Sequence, residues 1–287
     1  MITSRDRIKA ILDFKTPDRV GLMDVFWDET RTRWSEKLKS TPEDFFDFDI
    51  RLLDIERDIS EDALKHFFLG QHKNRFLAFS FREPFQRYAD RVGLETALEH
   101  IGRDPRHVFA VFKKELDKTL TRAISILDRG YSFDGLWLFG DLAHTNGLFF
   151  SEEFYRRYLF PFHKEICYFF ASYGIPTIMH SDGNISKIIP LLIEAGLRAL
   201  HPLQATAGLD VKSLKKEYRN EIVFCGNFDL DLLRVPQEKA RGIVIERLQA
   251  YKEGGGYIFG LDGPVSPDID LDDYTFIIDL VKEYGKY

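Results

Sequence analysis

Cysteine is scarce in this sequence, and long apolar runs are missing. The 287 residues include only 2 cysteines, Cys167 and Cys225, so we expect no disulfide framework and, by default, a cytoplasmic location. No apolar run approaches the roughly 18–20 residues that a membrane-spanning helix needs, so we expect no membrane segment. The N-terminus, Met-Ile-Thr-Ser-Arg-Asp-Arg, is charged from the start, so we expect no signal peptide.

The charge balance argues against another class of partner. Lys and Arg number 40 against 46 Asp and Glu, the formal net charge is −6, and no basic block occurs. Nucleic acid is therefore not expected as a partner, and neither is an anionic membrane surface, because both are recognised through clustered positive charge. Hydrophobic residues make up 44% and charged residues 30%, which is the balance of an ordinary folded core.

Phenylalanine is abundant where methionine is rare. There are 26 Phe and 3 Met, and several Phe residues are neighbours in the chain. We interpret them as bulky filler between helices and sheet. The sequence leaves the oligomeric state open, with a homodimer through the Phe-rich helices as one alternative.

The second half of the chain alternates between strand and helix patterns, without a linker. Strands that are apolar throughout favour a parallel sheet that is covered on both faces. The strand-like runs are 135–142, 175–180, 197–203, 222–226 and 256–261. Three earlier runs, at 19–24, 48–55 and 75–82, bring the number of strands to about eight.

Eight such units predict an α/β protein with a closed (β/α)8 TIM barrel. A dinucleotide fold would need a glycine-rich loop after a strand, whereas the glycines at 254–256 precede one. No composition break divides the chain, so we predict a single barrel domain over residues 1–287.

Helical periodicity and capping signals predict the main helices up to residue 173. They cover 5–12, 29–38, 94–100, 105–128 and 151–173. The stretch 85–91 follows Pro84, is rich in Arg and is interpreted as a loop or short hairpin. The wider arginine-rich stretch 75–91 either lines a substrate entrance or is simply solvated.

The segment His180-Ser-Asp182 closes a buried strand and precedes a Gly-Asn turn. Residues two apart in an extended chain have side chains on the same face. An imidazole beside a carboxylate at the end of a strand is able to hold a metal, move a proton or bind a polar substrate. The alternative is an Asp-Gly turn next to a hydrogen-bonded histidine.

Polar residues follow nearly every other predicted strand as well. In a barrel, the C-terminal ends of the strands converge on one mouth, where active sites are built. Any one of these residues is explicable as a cap, a turn or a core group, but their coincidence favours a functional site. They are Asp24, Asp141 with His144, His201 with Gln204, Cys225 with Asn227, and Asp262.

Five successive blocks resemble those of the uroporphyrinogen decarboxylase superfamily. They are His180-Ser-Asp-Gly-Asn184, Ile193-Glu-Ala-Gly196, His201-Pro-Leu-Gln204, Phe224-Cys-Gly-Asn-Phe-Asp229 and Gly260-Leu-Asp-Gly263. The resemblance covers most of the chain and implies a (β/α)8 barrel. The superfamily contains the decarboxylases of haem synthesis, as well as zinc-dependent methyltransferases that move methyl groups between corrinoid proteins and thiol or pterin acceptors.

The resemblance is closest to the corrinoid-dependent methyltransferase branch. The decarboxylases carry an N-terminal Arg-Gln-Ala-Gly-Arg segment that this sequence lacks, and a His where it has Asp262. The methyltransferases bind zinc through His-x-Cys and a later Cys. By that resemblance His180 is a metal ligand, and Asp182 and Asp262 stand where the two Cys residues would be. Cys225 is a less favoured ligand.

Replacement of both thiolates by carboxylates leaves the metal open. Such a set suits zinc, iron or manganese, or it serves as an acid–base group without a metal. The first hypothesis is a metal-assisted methyltransferase with a small-molecule substrate and with methylcobalamin on a partner corrinoid protein. The alternatives are a cofactor-free uroporphyrinogen-type decarboxylase and a non-catalytic barrel that acts as a binding subunit. The roles expected are catalytic for Asp141, His144 and Asp182, and substrate-binding for Gln204, Asn227 and Asp24.

Overall fold

The computed structural model describes residues 2–57, 59–69 and 71–287. Their contacts divide into two compact units. Unit 1 is the chain up to Ile50 together with His201–Tyr287, and unit 2 is Arg51–Leu200. The expectation of a single domain over 1–287 stays a prediction.

The strands confirm the alternating pattern expected from the sequence. Eight of them are parallel, and β5 and β6 form an antiparallel hairpin. The strands are β1 Gly21–Leu22, β2 Ile50–Asp54, β3 Phe76–Arg82, β4 Gly135–Phe139, β5 Ala143–His144, β6 Gly147–Leu148, β7 Thr177–His180, β8 Ala199–His201, β9 Val223–Cys225 and β10 Tyr257–Phe259.

Helices connect these strands, and none of the described helices is both long and apolar enough to cross a membrane. The helices are α1 Ser4–Leu12, α2 Asp28–Leu38, α3 Pro42–Phe45, α4 Glu61–Leu69, α5 Pro84–Val92, α6 Leu94–Arg103, α7 Pro105–Asp128, α8 Glu152–Phe154, α9 Phe160–Ala171, α10 Ile189–Ala195, α11 Val211–Tyr218, α12 Gln237–Lys252 and α13 Leu271–Tyr284.

In unit 2 the strand order is β7-β4-β3-β2. Strands β4 and β7 are parallel, and Phe139 of β4 is the register partner of His180 of β7. Because parallel strands end at the same edge, residues just after Phe139 and at His180 are close neighbours. Leu136, Trp137 and Leu138 of β4 are fully buried, and α7 buries Val108, Phe112 and Leu116 along one face.

In unit 1 the strand order is β1-β10-β9. An aromatic cluster packs around the buried Tyr274, whose ring centroid lies 5.6 Å from Phe26, 5.2 Å from Trp34 and 5.0 Å from Phe46. Edge-to-face and tilted rings at these distances stabilise a core beyond the area they bury. The interpretation of Phe as core filler is confirmed here.

The interpretation of 85–91 as a loop or hairpin is wrong, because the stretch is helix α5. Pro84 occupies the first turn, where a missing N–H costs nothing. The Glu83 side chain accepts the N–H groups of Phe85 and Gln86, so a carboxylate caps the helix. Pro84 and the capping residue Glu83 therefore begin a helix, although proline interrupts a helix when it lies in the interior.

Two further differences concern helix boundaries. Helix α4 was not expected from the sequence. The predicted helix 151–173 is interrupted by a π-helical turn at Tyr155–Leu159, just before Pro161 in the first turn of α9. Proline has no N–H to donate and disturbs the regular ladder, so a wider turn there is expected.

A buried ion network fixes the start of unit 1. Arg7 donates to both carboxylate oxygens of Asp18 at 2.7 Å and to Asp49 at 2.6 Å. Arg19 also pairs with Asp49, at 2.8 Å, and the Leu22 N–H donates to Asp49. The Asp49 side chain is fully buried. It therefore joins α1 to β1 through two guanidinium groups and one backbone amide.

We expect Asp49→Ala to lower the free energy of unfolding by about 3–5 kcal/mol, because it leaves Arg7 buried with a lost partner. Urea denaturation followed by circular dichroism measures the change. The matched control is Asp13→Ala, since the Lys15–Asp13 pair is exposed at 72% and 54%. The control should change stability by less than about 1 kcal/mol, and an equal loss in both variants would contradict a special role for the network.

Candidate functional site

Strands β4 and β7 bring three ionisable side chains together in unit 2. A ligand atom from each of Asp141, His180 and Asp182 lies within 4.8 Å of the other two. His180 Nε2 is 3.5 Å from Asp141 Oδ1 and 3.8 Å from Asp182 Oδ1. The parallel register of the two strands accounts for the meeting, since His180 is paired with the residue two before Asp141.

The main chain after β4 is held at three successive N–H groups. Gly140 N donates to His180 O at 2.9 Å, Asp141 N to Gln86 Oε1 at 2.9 Å, and Leu142 N to Ser181 Oγ at 3.1 Å. Asp182 N in turn donates to Asp141 Oδ1 at 3.0 Å. The two carboxylates are therefore positioned by the backbone of both loops.

The environments of the two carboxylates separate their pKa values. Burial would raise the pKa of Asp141, but the hydrogen bond and charge of His180 and the Asp182 N–H outweigh it and lower that pKa. Burial raises the pKa of Asp182, and the neighbouring Asp141 charge adds to the rise, although His180 opposes it. Asp141 is thus the more readily ionised member of the pair.

The donor set fits a divalent metal. Zinc takes nitrogen and carboxylate ligands at about 2.0–2.2 Å, so two ligands of one ion lie up to about 4.2 Å apart. The His180–Asp141 and His180–Asp182 distances of 3.5 and 3.8 Å fall inside that limit. Asp182 Oδ1 is buried and accepts no hydrogen bond within the described part of the chain. A ligand would satisfy it.

A cavity of about 430 Å³ opens beside this cluster. That volume suits a small organic molecule. Its charged lining residues are Asp54, Arg82, Asp90 and Asp141, and Arg82 is already paired with Glu56 and with Asp90 at 2.6 Å. Phe81, Phe139 and Leu52 supply apolar surface. The cavity wall therefore carries an excess of negative charge.

Of the residues that the sequence pointed to, three lie together in unit 2 and His144 lies near them in the chain. His144 sits on the β5–β6 hairpin, is exposed, and its Nδ1 accepts the Asn146 N–H at 3.3 Å. Its backbone carbonyl accepts the Asn184 N–H at 2.9 Å, which ties the hairpin to the turn after Asp182. Its catalytic role stays a prediction.

Asp24, at the end of β1 in unit 1, is a buried carboxyl group. Oδ2 accepts the Tyr274 hydroxyl at 2.9 Å, and Oδ1 accepts the N–H groups of Val25 and Leu261. Burial raises the pKa of Asp24 to about 7, although these hydrogen bonds lower it. Asp24 therefore titrates near neutrality, and its substrate-binding role stays a prediction.

Asp262 and Cys225, the further metal ligands predicted by resemblance, also belong to unit 1. Asp262 is buried, and its Oδ1 accepts the Leu230 N–H at 3.2 Å. Cys225 is fully buried at the end of β9. Burial and the Asp24 charge raise the pKa of its thiol well above the ordinary value, which disfavours the thiolate that metals bind. Ligation by either residue stays a prediction.

Asn227 and Gln204 are the remaining predicted substrate contacts, both in unit 1. The Asn227 amide is buried and engaged by protein groups: Oδ1 accepts from Val211 N and the Tyr251 hydroxyl, and Nδ2 donates to the carbonyls of Leu203 and Leu209. Asn227 thus fixes the loop that it lies on. Gln204 is half-buried at the start of a short helical turn.

Sequence reasoning missed Gln86, which lines the cavity and contacts the Asp141 backbone. It also assigned Asp141 to catalysis without placing it among the metal-ligand candidates. Recognition of the helix-capping pattern Glu83-Pro84 would have placed Gln86 on a helix beginning beside β4.

Gly183 forms the turn after Asp182, and its φ of +80° is one that L-residues rarely adopt. A Cβ there would lie 2.5 Å from the Ala143 carbonyl carbon and oxygen. We expect Gly183→Ala to cost about 1–2 kcal/mol for the left-handed backbone and a further 1–3 kcal/mol or so for the steric overlap, as measured by urea denaturation.

The control is Gly174→Ala, because Gly174 has φ +71° but nothing within 4 Å of a built Cβ. Gly174→Ala should lower the free energy of unfolding only by the cost of the left-handed backbone conformation. Equal losses at both glycines would show that the contact with Ala143 does not constrain the turn.

We expect Asp24 to make stability depend on pH. Its pKa in the folded protein, about 7, exceeds the ordinary 3.8. The stabilisation is therefore fully present below pH 4 or so and is lost as pH rises through about 7, by an amount on the order of 4 kcal/mol. Urea denaturation of wild type and Asp24→Asn at several pH values measures it. A difference between the two that stays constant with pH would contradict the assignment.

Comparisons with known proteins bear on the family. The family model for uroporphyrinogen decarboxylase (URO-D) matches residues 85–284. The chain is 23% identical over 186 residues to a uroporphyrinogen decarboxylase of Chlorobium chlorochromatii, covering 63% of this chain and 50% of that protein. It is 25% identical over 138 residues to the Chlorobium limicola enzyme, covering 46% and 38%. The chain thus spans about half or less of the length of these curated relatives.

A solved structure described as a methyltransferase from Methanosarcina mazei has the same fold. The TM-score is 0.73 at 14% identity, and the match covers 99% of both chains. The predicted fold class, an α/β (β/α)8 TIM barrel, is confirmed. Since the family model spans most of the sequence, including every strand from β4 onward, the chain belongs to the uroporphyrinogen decarboxylase family.

Proposed function

We propose that this protein is a metal-assisted methyltransferase that exchanges a methyl group with a corrinoid carried by a partner protein. The observation that carries the proposal is the cluster of Asp141, His180 and Asp182 beside a cavity of small-molecule size. A divalent metal there would act as a Lewis acid, activating the group that gives or accepts the methyl.

The residues of this chain supply the ligands and their orientation. His180 offers Nε2, and Asp141 offers a carboxylate whose pKa is lowered, against the effect of burial, by the hydrogen bond and charge of His180. Asp182 offers its buried Oδ1, which a bound ion would satisfy, and the charge of the ion would favour the carboxylate against the burial that raises its pKa. The further ligation by Asp262 that the family resemblance implies stays a prediction and is not used here.

Hard ligands favour a hard or borderline ion. One imidazole and two carboxylates suit zinc, iron or manganese, and they make the ion more electrophilic than a pair of thiolates would. We therefore propose that the ion activates a substrate whose methyl group is carried or accepted by an oxygen or nitrogen atom, as well as one that carries or accepts it on a thiol. Asp54 and Phe139 would contact that substrate from the walls.

The charge of the cavity supports methyl transfer over decarboxylation of a porphyrin precursor. A uroporphyrinogen-type substrate carries several carboxylates, which cationic side chains must neutralise. Among the residues that line this cavity Arg82 is the cation, and it already pairs with Glu56 and Asp90. Decarboxylation remains the second candidate because the curated relatives carry that name.

Metal content is the first test. We expect purified wild type to hold stoichiometric divalent metal by elemental analysis, and we expect His180→Ala and Asp141→Ala to lose it. His107→Ala, which removes an exposed histidine from α7, is the matched control and should keep the metal. Wild type without metal, even after incubation with zinc, iron or manganese, would remove the metal from the proposal.

Methyl transfer is the second test. We expect methylcobalamin to lose its methyl group in the presence of wild type and an acceptor, seen as a change in its visible spectrum, and to be unchanged with His180→Ala. Uroporphyrinogen incubated with wild type should keep its number of carboxylates. Loss of carboxylates with methylcobalamin unchanged would replace methyl transfer by decarboxylation. Inactivity in both assays, in a protein without metal, would favour the non-catalytic barrel.

A further inference from the structure

A chain of polar contacts runs along α5 to the backbone of Asp141. Arg82 Nε pairs with Asp90 Oδ2 at 2.6 Å, Gln86 Nε2 donates to Asp90 Oδ1 at 2.7 Å, and Gln86 Oε1 accepts from Asp141 N at 2.9 Å. Three of its members are side chains that line the cavity. The Gln86 amide is therefore the link between the cavity wall and the residue that begins the ionisable cluster.

The orientation of the Gln86 amide is determined by its two partners. An ionised Asp90 carboxylate accepts hydrogen bonds and cannot donate them, whereas the Asp141 N–H donates and cannot accept. Nε2 must face Asp90 and Oε1 must face Asp141, because the reverse orientation would bring two acceptors and two donors together. Gln86 Oε1 is thus already oriented to accept the Asp141 N–H before any ligand binds.

The first turn of α5 is anchored beside Asp141 by two further contacts. Glu83 N donates to Phe139 O at 2.6 Å, and the buried Glu83 carboxylate caps the helix by accepting from Phe85 N and Gln86 N. Gly140 allows this approach, since a Cβ there would lie 2.1 Å from Glu83 Cγ. Gln86 therefore projects from a rigid helix start.

The backbone N–H groups of residues 140–142 donate three hydrogen bonds. Of the three acceptors, Gln86 is the one that lies outside β7 and the loop after it. The N–H groups of Gly140 and Leu142 donate to His180 and Ser181, which belong to the same segment as the His180 and Asp182 side chains of the cluster. Gln86 bonds from a separate helix. The position of Asp141, whose carboxylate lies 3.5 Å from His180 Nε2, is consequently fixed by contacts with α5 as well as with β7.

From this geometry we infer that Gln86 is a positioning residue, which holds Asp141 in the orientation that metal binding requires by accepting its backbone N–H. The inference rests on the metal-assisted function proposed above. Groups that orient metal ligands typically change metal affinity by about 10–100-fold when they are removed. The role inferred for Gln86 is exerted through Asp141, because its carbonyl oxygen accepts the Asp141 N–H.

The test is Gln86→Met, which keeps the length of the side chain and removes both hydrogen bonds. We expect the affinity for Co²⁺ or Zn²⁺, titrated into metal-free protein, to fall by about 10–100-fold. In the metal-free protein, amide hydrogen exchange at Asp141 should become faster than in wild type, because its N–H loses its acceptor. The midpoint of thermal unfolding should change no more than in the control below.

Two variants serve as control and rescue. Gln237→Met removes one side-chain hydrogen bond from Gln to Asp, Gln237 Nε2 to Asp273 Oδ1 at 3.0 Å in unit 1, and it should leave metal affinity unchanged. The double variant Gln86→Glu with Asp90→Asn exchanges amide and carboxylate. A carboxylate oxygen at position 86 would still accept the Asp141 N–H, while the hydrogen bond between positions 86 and 90 would be kept with its direction reversed, from the amide at position 90. The double variant should recover most of the affinity and the slow exchange, and it remains informative if Gln86→Met folds poorly.

The outcomes separate this inference from the proposed function. Unchanged Asp141 exchange in Gln86→Met, or failure of the double variant to restore it, overturns the positioning role whatever the metal affinity does. Faster exchange in a protein whose wild type binds no metal supports the positioning of Asp141 and rejects the metal-assisted function. Faster exchange together with weaker metal binding, reversed in the double variant, supports both.

Discussion

The candidate site depends on the approach of His180 to Asp141 across two parallel strands. Phe139 and His180 are register partners, and the backbone bond from Gly140 N to His180 O extends the pairing by one residue. A slip of one residue would turn His180 to the other face of the sheet. The distance between imidazole and carboxylate is therefore set by strand register, which buried β4 and β7 side chains enforce.

Burial gives chemical character to groups that composition alone treats as equivalent. Asp141 and Asp182 lie on neighbouring loops, yet their pKa values move in opposite directions because the hydrogen bond from His180 favours only Asp141. Asp24 titrates near neutrality for want of a cation, whereas Asp49 is held by two guanidinium groups. The same carboxyl group is thus a ligand candidate, a buried acid or a structural ion.

Much of the fold was accessible from the sequence because barrel strands are continuous apolar runs and barrel helices are amphipathic. The strands from 135 onward were placed within a few residues. Helix α5 was missed because Pro84 ends one pattern and starts another, and only the capping contacts of Glu83 distinguish the two. The π-helical turn at Tyr155–Leu159 has no sequence signal except the nearby Pro161.

Local patterns in the chain were sufficient to identify which residues stand at the ends of strands, since continuous apolar runs and the turns after them are properties of short segments. That was enough to single out Asp141, His180 and Asp182 and to indicate the family. The folded chain was needed to show that these three side chains meet, that Gln86 contacts Asp141 from α5, and that Cys225 is a buried thiol. The reason is physical: contacts between distant segments, and the protonation states that burial imposes, are set by packing and not by any local pattern.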